Sequence, residues 1–488
     1  MSLTNAYLSL EEFDVSSVKG VVHDSRQVQP GFLFVALSGE EHDGRDYIDR
    51  AIENGASAIL VEQGYQQNHD GCVVFVCDNN PRKALSFILS QFYQDQPEHI
   101  VAVTGTNGKS SVVHFLRQIW HALGCKAVSL GTLGVDGDTS LQIDGSMTTP
   151  DPVVMYRLLR DLKRDDVDYL AMEASSHGLD QCRLDGVRVG VAAFTSFSQD
   201  HLDYHKDQDA YFKAKARLFS DEIMQEGVAV LNADVPEYGF LAERAEQSGH
   251  RVWSYGYKGE DCKIRNVYPL IDGQYVEIEI FGRVYEIQLS LIGGFQAMNI
   301  CCAVLCAVAD GADVEKIIAC LSDIEAVSGR MEGVRGSKEQ PFAAYVDYAH
   351  TPQALEVALQ ALRPHVKGDI LCIFGCGGDR DQVKRPLMGR AVYENADIVI
   401  ITDDNPRSEA PEVIRAQIRA GIPEDAQNIH MIDGRKDAIE FAISKAKEGD
   451  AILLAGKGHE NQQIFKNHVE TFNDVEELQK AITRVGTF

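Results

Sequence analysis

The sequence has a deficit of positive charge and no basic segment to offset it. Its 46 lysine and arginine residues face 73 aspartate and glutamate residues, giving a formal net charge of −27 over 488 residues. A surface of this sign repels the phosphates of nucleic acids and anionic lipids. We therefore expect no nucleic-acid partner and no membrane partner.

Common cysteine patterns are also missing. The chain has 11 cysteines, an odd number, and no CxxC pair. This excludes the usual zinc-ribbon spacing and argues against a disulfide framework. We expect buried, reduced thiols.

A secretion signal and a clear membrane span are not evident either. The first residues, MSLTNAYLSLEEF, contain no basic region followed by an apolar stretch, so we expect a cytoplasmic location. The uncharged run 288–309 is long enough to cross a bilayer. Because it contains Gly293, Gly294, Gln296 and Asn299, the sequence instead favours a buried loop and helix.

The length and the apolar pattern predict a three-domain α/β protein. Short apolar runs alternate with helical segments, which is typical of parallel sheets covered by helices. We predict a smaller N-terminal α/β domain (1–93), a central P-loop parallel-sheet domain (94–330) and a C-terminal Rossmann-like parallel-sheet domain (331–488). The segment 94–98, QDQPE, is interpreted as a linker.

The strongest local signal is a glycine-containing turn between an apolar strand and an amphipathic helix. We call it the phosphate loop; it consists of Gly105, Thr106, Asn107, Gly108, Lys109, Ser110 and Ser111. Its glycines let backbone N–H groups approach phosphate oxygens, Lys109 can reach the terminal phosphates, and Ser110 can hold Mg²⁺. The first glycine of a standard P-loop is replaced by Val103. The context nevertheless predicts a nucleoside triphosphate site.

Two further turns place carboxylates and an imidazole near this loop. Glu173 ends a predicted strand, and His201 lies in the turn QDHLD after the next strand. Either turn alone is more typical of a solvated loop, but together they can supply the few oxygen ligands that Mg²⁺ needs beside a triphosphate. The spacing of Lys213, Lys215 and Arg217 is by itself typical of a solvated helix face.

Four polar turns follow the predicted strands of the C-terminal domain. Their sequences are DYAHTP (347–352), GCGGDRD (375–381), TDDNPR (402–407) and AGKGHE (455–460). Ligands of open α/β sheets bind at the carboxyl ends of strands, where these turns lie. We therefore predict a composite binding site.

Taken together, the motifs resemble those of the Mur ligase family, ATP-dependent amide-forming enzymes of peptidoglycan stem-peptide synthesis. The resemblance extends over nearly the whole chain, in order and spacing. It rests on DSR (24–26), the phosphate loop, TTPDP (148–152), MEASSHGL (172–179), SQDHLDYH (198–205), YFKAKARLF (211–219), GRMEG (329–333) and the four C-terminal turns. Within the family, DNPR (404–407) is typical of members that add meso-diaminopimelate to UDP-N-acetylmuramoyl-L-alanyl-D-glutamate.

The resemblance implies a role for individual residues and a set of small-molecule substrates. It implies ATP as co-substrate and two Mg²⁺ ions; separately, we expect a monomer. Lys215 would be carbamylated and would ligate Mg²⁺ with Ser110, Glu173 and His201, while Lys109, Glu173, His201 and Lys215 would act in catalysis. Asn299, Arg330 and Asp347 would join the phosphate loop at ATP. The UDP-sugar dipeptide would contact His23, Ser25, Glu40, Glu41, His42, Thr148, Thr149, Ser175, Gln181 and Arg183. Diaminopimelate would contact Arg380, Asp404, Asn405, Pro406, Arg407, Gly456 and Glu460.

The chemistry of Arg407 agrees with the implied amino acid. Diaminopimelate differs from lysine by a distal carboxylate, which an arginine can meet with two parallel hydrogen bonds. A site built for that carboxylate would leave Arg407 desolvated and unpaired with lysine, at a cost of roughly 2–5 kcal/mol.

Two other functions share part of this pattern. Folylpolyglutamate synthase, a relative, has the same phosphate loop and acyl-phosphate chemistry. DNPR argues against it, as does the N-terminal domain (1–93), which the resemblance implies binds the UDP-sugar. A GTPase switch would need an NKxD motif, and the sequence contains no Asn-Lys pair.

Overall fold

The computed structural model describes residues 6–39, 42–66, 69, 73–142, 147–198, 200, 202–336 and 340–485. The chain divides into two compact units. Unit 1 comprises Met1–Cys262 and Cys301–Ile317, and unit 2 comprises Lys263–Ile300 and Ile318–Phe488. The domain boundaries after residues 93 and 330 stay predictions.

The N-terminal part of unit 1 is a parallel sheet with the strand order β1-β5-β4-β3-β2. Its elements are β1 (Ala6–Ser9), β2 (Gly20–Val22), β3 (Phe32–Val35), α1 (Ile48–Glu53), β4 (Ala58–Glu62), β5 (Val74–Asp78) and α2 (Pro81–Phe92). Helix α2 starts with Pro81, and the Asn80 side chain accepts a hydrogen bond from the Lys83 N–H. Both features are common at helix starts. Proline at the first position has no N–H group to leave unpaired, and the Asn80 side chain pairs one of the remaining N–H groups of the first turn.

The second sheet of unit 1 has the strand order β12-β11-β10-β6-β9-β7-β8. Its pairs are parallel except for β7 with β8. The elements are β6 (His99–Thr104), α3 (Lys109–Ala122), β7 (Ala127–Gly131), β8 (Gly134–Gly137), α4 (Pro152–Arg164), β9 (Tyr169–Glu173), α5 (Ser176–Asp180), β10 (Val189–Phe194), α6 (Leu202–His205), α7 (Gln208–Ala216), β11 (Met224–Asn232), α8 (Tyr238–Gln247) and β12 (Arg251–Gly256).

The strand, turn and helix around the phosphate loop follow directly from the sequence. Strand β6 is almost entirely buried, which fits its apolar, β-branched run in a sheet covered on both faces. Helix α3 buries Val112, Phe115, Leu116, Ile119 and Trp120, positions with helical spacing. The chain leaves the helix through Gly124 at φ 83°, a left-handed conformation that glycine adopts without strain. The predicted strand–turn–helix is confirmed.

Unit 2 contains an antiparallel pair, β14 and β15, next to β13, and a sheet with the order β16-β17-β21-β18-β19-β20. In that sheet β17, β21, β18, β19 and β20 are parallel, and β16 is antiparallel to β17. The elements are β13 (Cys262–Leu270), β14 (Gly273–Ile280), β15 (Arg283–Leu289), β16 (Glu332–Gly333), β17 (Ala343–Asp347), α11 (Pro352–Leu362), β18 (Ile370–Phe374), α12 (Lys384–Asn395), β19 (Ile398–Ile401), α13 (Pro411–Arg419), β20 (Ile429–Met431), α14 (Arg435–Lys445), β21 (Ala451–Ala455), β22 (Gln462–Ile464), β23 (Val469–Thr471) and α15 (Asp474–Val485). Helices α9 (Gly294–Ala309) and α10 (Val314–Cys320) each begin in one unit and end in the other.

The uncharged run 288–309 forms the end of β15, a turn and helix α9. Helix α9 has 16 residues, and its stretch Ile300–Ala307 is fully buried. Among the described residues, no helix is both long enough and apolar enough to cross a membrane. The prediction of a buried loop and helix is confirmed.

Candidate active site

The phosphate loop in unit 1 is fixed by the turn that follows β10. The Thr106 N–H donates to the Ser196 carbonyl at 2.8 Å, and the Asn107 N–H donates to the Ser196 hydroxyl at 3.0 Å. Gly105 has φ 144°, and a Cβ there would overlap the Thr195 hydroxyl and lie 2.9 Å from the Ser196 nitrogen. Only glycine lets β6 and the neighbouring turn approach so closely.

Two lysines converge on one carbonyl oxygen of this loop. Lys109 Nζ donates to the Gly105 oxygen at 2.9 Å and also to the Thr106 oxygen at 2.9 Å. Lys215 Nζ, from helix α7, donates to the same Gly105 oxygen at 2.7 Å. The loop therefore brings two lysine amines to the place where a phosphate group would bind.

Lys215 is 1% exposed, so its interpretation as part of a solvated helix face is wrong. Its neighbour Lys213 is exposed and pairs with Asp209 at 2.6 Å, as a surface lysine does. Burial, and secondarily the charge of Lys109, lower the pKa of Lys215 to about 6. At neutral pH its amine is mostly uncharged and nucleophilic.

Glu173, at the end of β9, lies directly beside the phosphate loop. It is 2% exposed, and its Oε1 accepts hydrogen bonds from the Ser110 hydroxyl at 2.9 Å and the Thr132 N–H at 3.0 Å. Among the described residues, no cluster of three or more His, Cys, Asp and Glu side chains suits a metal ion. A hydroxyl beside one carboxylate nevertheless fits Mg²⁺, which takes few protein ligands next to a triphosphate. His201 lies outside the described residues.

The threonines predicted to bind the muramoyl dipeptide extend from Glu173. The Thr149 hydroxyl donates to the Glu173 carbonyl at 2.9 Å and accepts from the Ser175 N–H at 2.9 Å. The hydroxyls of Thr148 and Thr132 lie 3.1 Å apart. This chain of short contacts joins the predicted substrate residues to the phosphate loop.

Gln181 and Arg183 continue the same surface of unit 1. Arg183 donates to the Thr149 carbonyl at 2.6 Å and to Gln181 Oε1 at 2.8 Å. His23 lies 3.4 Å from Asp151, which also caps helix α4. Ser25 is 5% exposed, whereas His42 is exposed.

Two of the predicted UDP-sugar contacts, Glu40 and Glu41, lie outside the described residues. Their proposed contacts therefore have no geometry in the structure.

In unit 2 the four polar turns follow β17, β18, β19 and β21, which are neighbours in one parallel sheet. Asn405, after β19, donates from Nδ2 to Glu460 Oε2 at 2.9 Å, which joins its turn to that of β21. The predicted contacts Asp404 and Gly456 lie in the same two turns. Asn405 and Pro406 are buried, and Asp404 and Glu460 are half-buried. The sheet thus gathers these residues at one edge.

Lys457 holds this edge together, although the sequence interpretation assigned it no role. Its fully buried Nζ donates to Asn405 Oδ1 at 3.1 Å, Glu460 Oε2 at 3.0 Å and the Gln462 carbonyl at 2.6 Å. Its place within the GKGHE motif was the available signal.

Arg407 is oriented by the turn after β18. Its Nη1 donates to the Gly378 carbonyl at 2.9 Å, and its backbone has φ 51°. A left-handed non-glycine residue is uncommon and here aims the side chain at the glycine turn. Arg380, from the same turn, is exposed.

Arg385 is a second residue that sequence patterns missed. Its side chain is fully buried and donates to both carboxylate oxygens of Glu409, at 2.9 and 2.8 Å, and to the Gly377 carbonyl at 3.2 Å. It therefore connects the turns that carry Arg380 and Arg407. An arginine inside a largely polar helix gives no sign of this burial in the sequence.

The other predicted ATP residues, Asn299, Arg330 and Asp347, belong to unit 2. Asp347 accepts from the Met331 and Ala349 N–H groups, both at 2.8 Å, and burial raises its pKa. Arg330 lies over the Tyr348 ring, 4.9 Å from its centroid. Asn299 is 7% exposed and donates to Gln296 Oε1 at 2.9 Å.

Comparison with known proteins gives a consistent result over the whole chain. The Mur ligase family, catalytic domain model matches residues 17–102, the Mur ligase middle domain model matches 103–307, and the Mur ligase, glutamate ligase domain model matches 329–458. The chain is 44% identical over 470 residues to UDP-N-acetylmuramoyl-L-alanyl-D-glutamate--2,6-diaminopimelate ligase of Bradyrhizobium diazoefficiens, covering 95% of both chains.

Solved structures resemble the chain over a similar length. A UDP-N-acetylmuramoyl-L-alanyl-D-glutamate--2,6-diaminopimelate ligase has a TM-score of 0.75 and 32% identity, with 96% of each chain covered. A MurF ligase from Thermotoga maritima in complex with ADP has a TM-score of 0.61 at 18% identity, covering 97% of this chain and 98% of that chain. At 18% identity, the similarity to the MurF ligase shows a shared fold only.

The close approach of Gly105 to the turn after β10 generates a prediction. Gly105→Ala should weaken ATP binding at least about tenfold, because the added methyl group overlaps Thr195 and strains a backbone that places the loop N–H groups. Isothermal titration calorimetry with ATP measures the effect.

The matched control is Gly124→Ala. Gly124 also has positive φ, but a Cβ there meets nothing within 4 Å. It should lower stability by about 1 kcal/mol and leave ATP affinity unchanged. Equal ATP affinity in both variants would show that the loop conformation does not govern binding.

Proposed function

Because the chain belongs to the Mur ligase family, we propose that it joins meso-diaminopimelate to UDP-N-acetylmuramoyl-L-alanyl-D-glutamate, using ATP, in the synthesis of peptidoglycan precursors. The observation that supports the amino-acid assignment is that Arg407 shares the turn after β19 with Asp404 and Asn405, and that Asn405 is hydrogen-bonded to Glu460 of the turn after β21. Such a set offers a cation for a carboxylate and carboxylates for an ammonium group.

The reaction has two steps. First, the γ-carboxylate of D-glutamate attacks the γ-phosphorus of ATP; its oxygen bonds to phosphorus and ADP leaves. Second, the uncharged amine of diaminopimelate attacks the acyl carbon of this acyl phosphate, the carbon–oxygen bond breaks, phosphate leaves, and the nitrogen loses a proton. Phosphorylation is needed because a free carboxylate oxygen is a poor leaving group.

The residues of unit 1 would carry the first step through position and charge. Lys109 would exchange its loop carbonyl acceptors for phosphate oxygens, and the loop N–H groups would hold the triphosphate. Thr148, Thr149 and Ser175, together with Arg183, would hold the muramoyl dipeptide. These groups favour the approach of a carboxylate to a triphosphate, two anions that otherwise repel each other.

Magnesium fits the same residues. Ser110, Glu173 and a carbamylated Lys215 would hold it, with His201 as a further proposed ligand. When bound, Mg²⁺ supplies positive charge that offsets the negative charge of the phosphates. A neutral Lys215 amine is the form that reacts with carbon dioxide, and the low pKa of this buried lysine therefore supports carbamylation.

Lys215 gives a direct test of the proposed modification. In ¹³C-bicarbonate at pH 7.5 the protein should show a carbamate resonance by ¹³C nuclear magnetic resonance, because the buried amine is largely deprotonated above pH 6. Lys215→Ala should remove both this resonance and most ligase activity.

Lys213→Ala is the matched control, because Lys213 lies on the same helix, is exposed, and has its pKa raised by Asp209. It should keep the resonance. A carbamate signal that persists in Lys215→Ala would contradict the assignment.

Arg407 tests the choice of amino acid. Arg407→Ala should raise the KM for diaminopimelate by roughly 30-fold or more, the equivalent of at least about 2 kcal/mol for losing one partner of a buried charged contact. ATP affinity should not change. Coupled phosphate-release assays with diaminopimelate and with lysine provide the measurement.

Arg390→Ala serves as control, because Arg390 is exposed and pairs only with Glu394 on its own helix among the described contacts. It should keep wild-type kinetics. Equal losses of ATP and diaminopimelate binding in Arg407→Ala would refute its role in specificity, as would a wild-type enzyme that prefers lysine.

A further inference from the structure

The tight turn between β7 and β8 lies against the carboxylate of Glu173. Gly131 pairs with Gly134 across these two antiparallel strands, so the turn consists of Thr132 and Leu133. Strand β7 also pairs with β9 in parallel, and parallel strands end on the same side of a sheet. The turn after β7 is therefore a neighbour of Glu173, which is the last residue of β9.

The turn approaches the carboxylate so closely that one of its residues contacts both oxygens. A Cβ on Gly131 would lie 2.1 Å from Glu173 Oε1, so glycine leaves the room that the carboxylate occupies. The Thr132 N–H donates to Oε1 at 3.0 Å, and the Thr132 hydroxyl donates to Oε2 at 3.4 Å. The last torsion of a glutamate side chain is otherwise loosely defined. Thr132 thus restricts the rotation of this carboxylate.

A second hydroxyl determines which way the Thr132 proton points. Thr148 Oγ1 lies 3.1 Å from Thr132 Oγ1. An ionised carboxylate can only accept hydrogen bonds, so the Thr132 proton goes to Glu173 and the Thr148 hydroxyl donates to Thr132. Hydrogen bonds that follow one another in such a chain strengthen each other. The contact with Thr148 therefore supports the hold of Thr132 on Glu173.

The remaining donor to Glu173 belongs to the phosphate loop. The Ser110 hydroxyl donates to Oε1 at 2.9 Å. In the proposed function the Ser110 oxygen is itself a ligand of Mg²⁺, so its bond to Glu173 has to change when the metal binds. The two bonds from Thr132 involve no proposed metal ligand other than Glu173. They are the contacts that can keep the carboxylate directed at Ser110.

We infer that Thr132 is a positioning residue, which holds the Glu173 carboxylate in the orientation that binds Mg²⁺. The inference rests on the proposed function, in which Glu173 and Ser110 hold Mg²⁺ beside ATP. It adds to the active site a residue to which the sequence interpretation assigned no role.

The test uses Mn²⁺ as the probe, because it accepts the oxygen ligands that suit Mg²⁺ and its free form gives an electron paramagnetic resonance signal. Mn²⁺ is titrated into the nucleotide-free protein in bicarbonate buffer. Thr132→Val keeps the N–H and the branched shape but loses the hydroxyl, and it should weaken Mn²⁺ binding about 3- to 10-fold, as expected for one hydrogen bond. Thr132→Ser keeps the hydroxyl and should bind Mn²⁺ as the wild type does.

A kinetic measurement separates positioning from a general loss of structure. In phosphate-release assays with the three substrates, Thr132→Val should raise the Mg²⁺ concentration at half-maximal rate by a similar factor. Saturating Mg²⁺ should return kcat to within about twofold of the wild type, because the metal ligands themselves are intact.

Thr139→Val is the matched control. The Thr139 hydroxyl donates to Asp165 Oδ2 at 2.8 Å, so this variant also removes a threonine–carboxylate hydrogen bond from unit 1. Neither partner belongs to the phosphate loop or to the proposed metal ligands. The control should keep the wild-type Mn²⁺ affinity, and an equal loss there would overturn the inference.

Other outcomes separate this inference from the proposed function. Unchanged Mn²⁺ affinity in Thr132→Val, or an equal loss in Thr132→Ser, would also overturn the inference. If the wild type ligates diaminopimelate while Thr132→Val binds Mn²⁺ normally, the inference fails alone. If the Mn²⁺ affinities are as expected but the wild type performs no ligation, the proposed function fails alone.

Discussion

The carbonyl oxygen of Gly105 accepts hydrogen bonds from both Lys109 and Lys215, and the chemistry proposed for unit 1 depends on this convergence. Two ammonium groups at one buried acceptor would repel each other with little screening by water, which favours the uncharged form of one amine. The low pKa of Lys215 follows from its burial, with the charge of Lys109 as a further cause. A phosphate would pair with the charge of Lys109, and a carbamate on Lys215 would place a negative charge beside it. The shared contact of Lys109 and Lys215 with the Gly105 carbonyl thus favours anion binding at the loop and carbamylation of Lys215.

Unit 2 uses buried charge differently, to hold its turns in place. Arg435 and Asp474 form a fully buried ion pair, and Arg435 also donates to the Ala455 carbonyl at 2.9 Å, at the end of β21. Lys457 likewise donates to Asn405 in the turn after β19, and Arg385 donates to the Gly377 carbonyl in the turn after β18. Because these cations bind protein acceptors, including the Glu460 carboxylate, Arg407 and Asp404 supply the charged groups of the proposed amino-acid site that no buried cation among the described residues pairs with. Removing one partner of such a buried pair exposes the other to a large desolvation cost.

Sequence patterns predicted the parts of this protein that follow from periodicity and turn chemistry. Strand β6, helix α3 and the glycine turn between them are read directly from apolar spacing and from Gly105 and Gly108. The four turns of unit 2 could be predicted to share one edge, because parallel strands all end on the same side of a sheet. The family resemblance added residue roles that no pattern contains, and the positions of Glu173 and Asn405 beside their predicted neighbours support those roles.

Sequence patterns could not predict the burial of residues whose contacts lie far away in the chain. Lys213 and Lys215 are indistinguishable by spacing, yet only Lys215 meets the phosphate loop, more than 100 residues earlier in the chain. Arg385, Arg435 and Lys457 are likewise polar residues in ordinary helical or loop contexts, and their burial depends on carboxylate and carbonyl groups that the fold brings to them.

The central claim is that an acyl phosphate forms on the substrate carboxylate. It is tested most directly with UDP-N-acetylmuramoyl-L-alanyl-D-glutamate labelled with ¹⁸O in the γ-carboxylate, incubated with ATP, Mg²⁺ and meso-diaminopimelate. Mass spectrometry of the released phosphate should show one ¹⁸O atom per turnover, because the carboxylate oxygen that attacked phosphorus leaves with the phosphate. Phosphate without the label, released together with the amide product, would contradict the account.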